Sequence, residues 1–319
     1  MSPVEAASDS LRRRTRDALA SHGLHPRKRH GQHFLVSRPI LERILAEAEL
    51  TPDCTAVEIG PGTGLLTEVL VGSGARVLAI EVDRGLARLL EETMGDRPNL
   101  QICTADALRF DYAAALAPYR GRGPIRVVAN IPYSITTPLI FRLLDEQGLF
   151  DRLCLTVQRE VADRLAARPG TKSYGALTLA CQYRTVVRTL FSIPPQAFYP
   201  APAVDSALVR LECRTSPPVT VHSDAQLFRV IRAAFGQRRK TLRNALRRAG
   251  WALDAVEKAL AAAGVAGERR GETLDLGEFA RVSEALPVRT DLSDVDDSGE
   301  TAEASPFPSA IAGGPREIP

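Results

Sequence analysis

Residues 54–83, CTAVEIG-PGTG-LLTEVLV-GSGA-RVLAIEVD, decide the fold. CTAVEIG (54–60) is an apolar run with the length of a buried strand, and RVLAIEVD (76–83) is a second. Between them stand a glycine-rich turn, Gly60-Pro-Gly62-Thr-Gly64, and an apolar stretch from about Leu65 to Val71 that reads as a helix. Strand, glycine turn, helix and strand make a βαβ unit, whose strands lie parallel. Glycines let the backbone pass close to a ligand, and a helix N-terminus offers unpaired N–H groups.

Outward from this unit the alternation continues. A helix is expected over 84–94, then strands in LQICTADAL (100–108) and IRVVANIP (125–132) and a helix over 137–147. RLCLTVQ (152–158) is a further strand, followed by a helix over 159–167 and a helix-like run over 175–184. TVVRTLFSI (185–193) and SALVRLE (206–212) read as the last strands, while PILERILAEAEL (39–50) is an amphipathic helix before the first. The fold class is therefore α/β, a mostly parallel doubly wound sheet. TSPPVT (215–220) breaks the pattern, and from Asp224 to about Leu286 only helices are expected. Four segments follow: a flexible, loose or partly helical basic extension (1–25), an α/β domain (26–214), a small helical domain (222–286) and an acidic tail (287–319). The tail is too polar to offset its ordering entropy and is expected to be disordered.

Charge is segregated along the chain. The net charge is only +3. Yet Arg12, Arg13, Arg14, Arg16, Arg27, Lys28 and Arg29 crowd residues 11–30. Arg229, Arg232, Arg238, Arg239, Lys240, Arg243, Arg247 and Arg248 fill 225–250 without an acid, and the acids of 290–303 mask this basic body. Such segregation points to a polyanionic partner, although either run alone is equally well a solvated helix face. No stretch approaches the roughly 18 apolar residues of a membrane helix. The first 30 residues lack the apolar run of a secretory signal. The five scattered cysteines argue against a disulfide framework or a zinc site, so a reducing cytoplasm and no metal are expected.

The chemistry-bearing residues stand where the strands end. Glu81 ends the second strand, where a carboxylate can accept from both ribose hydroxyls of a nucleoside. Asp106, in the third strand's TADAL, is placed to accept from the exocyclic amine of that nucleoside's adenine. Each is alternatively a helix cap or surface acid, the reading preferred for Asp83 and Asp111. Asn130-Ile131-Pro132-Tyr133 follows the fourth strand. It resembles the N/D-P-P-Y motif of methyltransferases acting on exocyclic amines, and that resemblance implies a target such as adenine N6, a poor nucleophile because its lone pair is delocalised. Hydrogen bonds to the Asn130 side-chain oxygen and to the Ile131 carbonyl would favour a pyramidal nitrogen. Pro132 stiffens the turn without a competing N–H, and Tyr133 offers a face for base stacking.

The E-x-G-x-G-x-G spacing from Glu58 to Gly64 resembles motif I of class I S-adenosylmethionine-dependent methyltransferases, and NIPY resembles the N/D-P-P-Y motif of enzymes acting on exocyclic amines. With RKRHGQHFL (27–35), VANIPYSITTPLI (128–140), VQREVADRL (157–165), KSYGALT (172–178), FYPAPAVDSALVRL (198–211) and AFGQRRKTLRNAL (234–246), the chain is similar to the ribosomal RNA adenine dimethyltransferases of small-subunit (16S) type (KsgA/RsmA) over about residues 27–250. That resemblance implies a Rossmann-like methyltransferase domain with a helical RNA-binding domain. It implies S-adenosylmethionine as cofactor, held by His33, Leu35, Gly60, Gly62, Glu81, Asp106 and Asn130. It also implies Phe198 stacking on the target adenine opposite Tyr133. His33 stands where many members have Asn, and Ile131 where many have Leu.

The expected reaction is in-line transfer of a methyl group to N6, twice on one nitrogen, driven by positioning rather than by a general base. The partner is ribosomal RNA or a precursor of the small ribosomal subunit, with no membrane involved and the chain acting as a monomer. Arg238, Arg239, Lys240, Arg243 and Arg247 form the expected phosphate-facing surface, with Arg239, Arg243 and Arg247 recurring every four residues. The alternatives are a large-subunit (23S) enzyme conferring macrolide resistance, a non-catalytic ribosome-assembly factor on the same fold, and a nicotinamide oxidoreductase. The glycine spacing and NIPY disfavour the last.

Overall fold

A computed structural model describes residues 3–26, 31–237 and 239–288. Two compact units emerge from the chain's internal contacts. One comprises residues up to Ala162 together with Thr185–Thr215, the other Asp163–Arg184 together with the chain from Ser216.

The first unit opens with helix α1 (Pro3–Ser21), strand β1 (Phe34–Leu35) and helix α2 (Arg38–Ala48). The alternating part follows as β2 (Thr55–Ile59), α3 (Leu65–Gly72), β3 (Arg76–Glu81), α4 (Arg84–Met94), β4 (Leu100–Thr104), α5 (Tyr112–Leu116), β5 (Ile125–Asn130), α6 (Thr136–Asp145) and β6 (Arg152–Gln158). After α7 (Arg159–Leu165) and α8 (Ala176–Arg184) the sheet is completed by β7 (Thr185–Ile193) and β9 (Ser206–Cys213), while β8 (Phe198–Tyr199) between them pairs with β1 in a separate two-stranded sheet. The main sheet has the order β4-β3-β2-β5-β6-β9-β7. The first five of these strands pair in parallel, and β9 runs antiparallel to both β6 and β7.

Burial explains why β2 and β3 read as continuous apolar runs. Every residue of β2 is buried, and only Arg76 of β3 is not fully so. Leu41 and Ile44 of α2, Val69 and Leu70 of α3, Val77 of β3 and Val128 of β5 share one core. Asp83 and Asp111 are helix N-caps: Asp83 accepts from the Gly85 and Leu86 N–H groups, Asp111 from that of Ala114. The chain winds outward from β2 to β4, then returns to β5 and β6 on the other side. The carboxyl ends of β2 and β5 therefore flank the switch point, where open α/β sheets bind ligands.

The structure adds detail at three of the expected features. The amino-terminal segment carries a helix: α1 runs nineteen residues, buries Thr15 and Leu19, and is joined to the rest of the unit by Arg12 donating to the Gln196 carbonyl at 2.7 Å and by the Arg14–Glu68 pair at 2.8 Å. Leu11, Thr15 and Leu19 recur every four residues beneath the arginines that dominate the sequence. The third strand ends at Thr104, so Asp106 lies in the turn beyond it. Phe198 and Leu35, both expected at the ligand site, face each other across the two-stranded β1–β8 ladder and belong to the core.

The second unit is helical among the described residues. It contains α8, α9 (Asp224–Phe235), α10 (Leu242–Arg248), α11 (Leu253–Ala263) and α12 (Leu276–Ala285). Residues 163–184 thus group with the C-terminal helices, although the sequence reading placed them in the α/β segment. Tyr183 explains part of this: its hydroxyl lies 2.6 Å from Asp224 Oδ1 and its ring meets Phe228 edge-on. Tyr174 donates to the Leu274 carbonyl at 2.8 Å. A capping box at Asp275 and Glu278 starts α12.

Candidate active site

The glycine turn after β2 is left-handed at each glycine, with φ of 67° at Gly60, 61° at Gly62 and 83° at Gly64. Gly62 has a second reason to lack a side chain. A Cβ there would stand 2.7 Å from the Phe34 ring, which closes over the turn. Glu81, at the last position of β3, braces the turn from the other side. Its Oε2 accepts from Gly62 N–H at 3.1 Å and its Oε1 from Asp83 N–H at 2.9 Å. Burial pushes the Glu81 carboxyl above its ordinary range, and these backbone donors work the other way. Both oxygens keep lone pairs for further donors.

Around this frame opens a cavity of about 140 Å³. It is lined by Gly60, Gly62, Glu81, Asp106, Asn130, Ile131, Pro132, Tyr133 and His33 of the expected site residues. The sequence reading missed Gly31, Gln32, Phe34, Val82, Leu86 and Ala107, which line it as well. Val82 carries the clearest missed signal, an apolar residue directly after the strand-end acid and 67% exposed. Leu35 and Phe198 do not line the cavity; they are 4% and 0% exposed. Asp106 accepts from Leu108 N–H at 2.9 Å through Oδ1, leaving Oδ2 toward a ligand or toward Arg109, 4.0 Å away.

At the β5 end, Asn130 donates from Nδ2 to the His33 carbonyl at 2.7 Å. That bond orients the amide, so Oδ1 is the acceptor left for another partner. The Ile131 N–H is taken by the Thr156 carbonyl at 3.2 Å, which fixes the turn that follows. The Tyr133 hydroxyl pairs with Ser206 Oγ at 2.6 Å, and burial pushes the phenol up. Gly31 lets the amino-terminal strap reach this turn: a Cβ on it would stand 3.0 Å from Tyr133 N. His33 is held by Nδ1, 2.7 Å from the Pro200 carbonyl.

The expected basic surface is rearranged. Arg239 and Lys240 lie in the turn before α10 rather than on the helix, and both are exposed. Arg247 is exposed in its last turn. Arg243 pairs with Glu268 at 3.0 Å and with Glu257 at 3.6 Å. Arg238, with Arg27–Arg29 and the acidic tail beyond residue 288, lies outside the described residues.

These features fit a nucleoside sulfonium cofactor: a turn without Cβ atoms, a buried carboxylate at the end of β3, an acid beyond β4, and an oriented amide at the end of β5. Residues 23–286 match the model of the ribosomal RNA adenine dimethylase family. The chain belongs to that family. It is 46% identical over 278 residues to the ribosomal RNA small subunit methyltransferase A of Moorella thermoacetica, covering 86% of this chain and 96% of that one. The protein of the same name from Geobacillus thermodenitrificans is 44% identical, with 86% and 95% covered. Among solved structures, a dimethyladenosine transferase from Plasmodium falciparum superposes with a TM-score of 0.66 at 25% identity, covering 78% of this chain and 96% of that one. The 23S rRNA methyltransferase ErmE superposes with 0.61 at 28%, covering 79% and 99%.

As a member of this family the chain is a methyltransferase that uses S-adenosylmethionine. When bound, that cofactor supplies a methyl group on a positively charged sulfur, ready for attack by a nitrogen. No helix of the described residues is long and apolar enough to cross a membrane.

Proposed function

We propose that this chain dimethylates the N6 amine of adenosines in small-subunit (16S) ribosomal RNA, acting as a monomer on a precursor of the small subunit in the cytoplasm. The observation that carries the reaction is the Asn130 amide, turned by the His33 carbonyl so that Oδ1 accepts. The choice of the small-subunit target rests on relatives of that name at 44–46% identity, against 28% for the 23S enzyme.

In this reading Asn130 Oδ1 and the Ile131 carbonyl accept the two amine hydrogens, so that the nitrogen lone pair points out of the ring plane. Pro132 holds the carbonyl in place and brings no competing donor. Tyr133 stacks on the base, its ring held by Ser206. Glu81 and Asp106 hold the cofactor's ribose and adenine, and Gly60 and Gly62 let the backbone approach it. No side chain needs to remove a proton before attack, because the N–H becomes acidic as the nitrogen gains charge. Arg239, Lys240 and Arg247 meet phosphates.

The test is to incubate small subunits from a strain lacking the enzyme with the protein and cofactor, then map methylated adenosines. N6,N6-dimethyladenosine confined to small-subunit RNA supports the reading. Methylation of large-subunit RNA instead, or none on either, contradicts it.

A further inference from the structure

The helical unit hands on to the acidic tail at a clamp. The Pro287 carbonyl accepts from Gln226 Nε2 at 3.2 Å and from Trp251 Nε1 at 3.3 Å. Both donors are buried, Gln226 on α9 and Trp251 just after α10. Trp251 is itself tied to α10, its N–H donating to the Leu246 carbonyl at 3.4 Å. The chain therefore leaves the clamp one side chain away from the end of α10, and Val288, the next residue, is 71% exposed.

The surface nearby is basic and only partly neutralised. Arg247 in the last turn of α10, with Arg239 and Lys240 in the turn before it, is exposed, and none of the three has an ion pair among the described residues. Arg243, between them on α10, already takes the carboxylates of Glu257 and Glu268. Beyond Val288 six acids stand between Asp291 and Glu303, with no base among them. The seven residues of α10 span about 10 Å. A chain covers up to about 3.3–3.6 Å per residue, so acids that begin three residues past the clamp can reach all three cations. A segment joined to its site by so short a link meets it at an effective concentration of about millimolar.

We propose that residues 291–303 dock on the surface formed by Arg239, Lys240 and Arg247 and act as an internal competitor for RNA. The proposal rests on the reading of those three residues as phosphate contacts. Carboxylates offer a guanidinium or an ammonium the same kind of charged acceptor as a phosphate. Tail and RNA therefore exclude one another from the same side chains. Salt weakens both, so the competition is strongest at low ionic strength and fades as salt rises.

The experiment uses the full-length chain and a full-length variant carrying Asp291→Asn, Asp294→Asn, Asp296→Asn, Asp297→Asn, Glu300→Gln and Glu303→Gln together, with melting curves to verify folding. Filter binding of small-subunit RNA is measured across a salt series. At about 0.05 M salt the variant is expected to bind RNA roughly tenfold more tightly than the wild type, and the two converge toward about 0.3 M, so the wild type has the shallower slope. Carbodiimide coupling of carboxylates to lysines reads the docking itself. In the wild type without RNA, tail peptides are expected on Lys240 of the same chain in preference to Lys172 or Lys258, and RNA should suppress the link. Equal RNA affinities in the two chains, links spread evenly over the three lysines, or links formed between two chains overturn the proposal. Arg239→Gln, Lys240→Gln and Arg247→Gln, combined in the tail-neutral variant, separate it from the reading beneath it. If RNA binding there is unchanged, the RNA surface itself is misplaced; if binding weakens while the tail makes no difference, the tail proposal alone fails.

Discussion

Asn130 Nδ2 donates to the main-chain carbonyl of His33 at 2.7 Å, across 97 residues of sequence. The bond ties the end of β5 to the strap that covers the cofactor cavity. On the proposed reading it links the two halves of the reaction, since Asn130 is oriented by the segment lining the cavity. Asn130→Asp keeps the size of the side chain but has no donor for the carbonyl, so geometry at position 130 can be separated from bulk.

Glu81 is expected to matter for affinity more than for folding. On the proposed reading its carboxylate accepts from two ribose hydroxyls, and losing such a charge-assisted pair costs on the order of 2–4 kcal/mol. Calorimetry on Glu81→Ala should show S-adenosylmethionine binding weakened accordingly, with a cooperative melting transition retained. Wild-type affinity in the folded variant would refute the assignment.

Gly62→Ala tests the cradle. The added Cβ meets the Phe34 ring at 2.7 Å and must adopt a φ of 61°. A strain of roughly 1–3 kcal/mol is expected, with cofactor affinity reduced at least tenfold because the displaced ring is a wall of the cavity. Thermal melting and calorimetry read the two effects. Unchanged affinity would show that the ring can move without consequence.

Glu58 lies buried beneath the glycine turn, its Oε2 without a hydrogen-bond partner. Burial pushes its carboxyl up to about 8, and Glu81 pushes the same way. The Thr67 hydroxyl opposes them without reaching hydrogen-bond geometry. Between the ordinary carboxylate range and about pH 8 the folded chain therefore holds a proton that the unfolded chain has released. Stability must fall as pH rises across that window, by up to about 1.4 kcal/mol per unit from this group. Glu58→Gln should remove that slope. Urea unfolding at about pH 6 and about pH 8 checks it, and equal slopes in the two proteins would contradict it.

Removing charge at Arg239, Lys240 and Arg247 together should weaken binding to RNA and flatten its salt dependence by about 0.7–0.9 in slope per lost phosphate contact. Arg243→Gln should change the slope far less, because Arg243 already pairs with Glu257 and Glu268. Filter binding across a salt series distinguishes them. A slope as sensitive to Arg243 as to the other three would return Arg243 to the RNA surface.

Much of this was legible in sequence because it is local. Apolar runs such as TAVEI and VLAIE announce strands buried on both faces, and Asp83 and Asp111 stand where N-caps belong. Features set by distant neighbours were not legible. β1 and β8 are two residues each, too short for any periodicity, and their pairing takes Leu35 and Phe198 into the core. The acids that pair with Arg243 lie on and beyond α11, so a run without local acids looked free. The inward stripe of α1 is one residue wide, Leu11, Thr15 and Leu19 at four-residue spacing, under a surface of arginines. The orientation of the Asn130 amide depends on a backbone carbonyl, which no side-chain pattern encodes.

The most direct measurement is single-turnover methylation of ribosomal RNA by Asn130→Ala, with RNA and cofactor affinities measured in parallel. Phosphate contacts dominate RNA affinity, so binding should be largely kept. The methyl-transfer rate should fall roughly 100-fold or more, the scale of losing one preorganised hydrogen-bonding group at a reacting centre. Tyr133→Ala should be the next most severe, by about 1–3 kcal/mol of lost stacking, and Tyr133→Phe the mildest. If Asn130→Ala methylates RNA at near the wild-type rate, NIPY is only a turn and the target amine is held elsewhere.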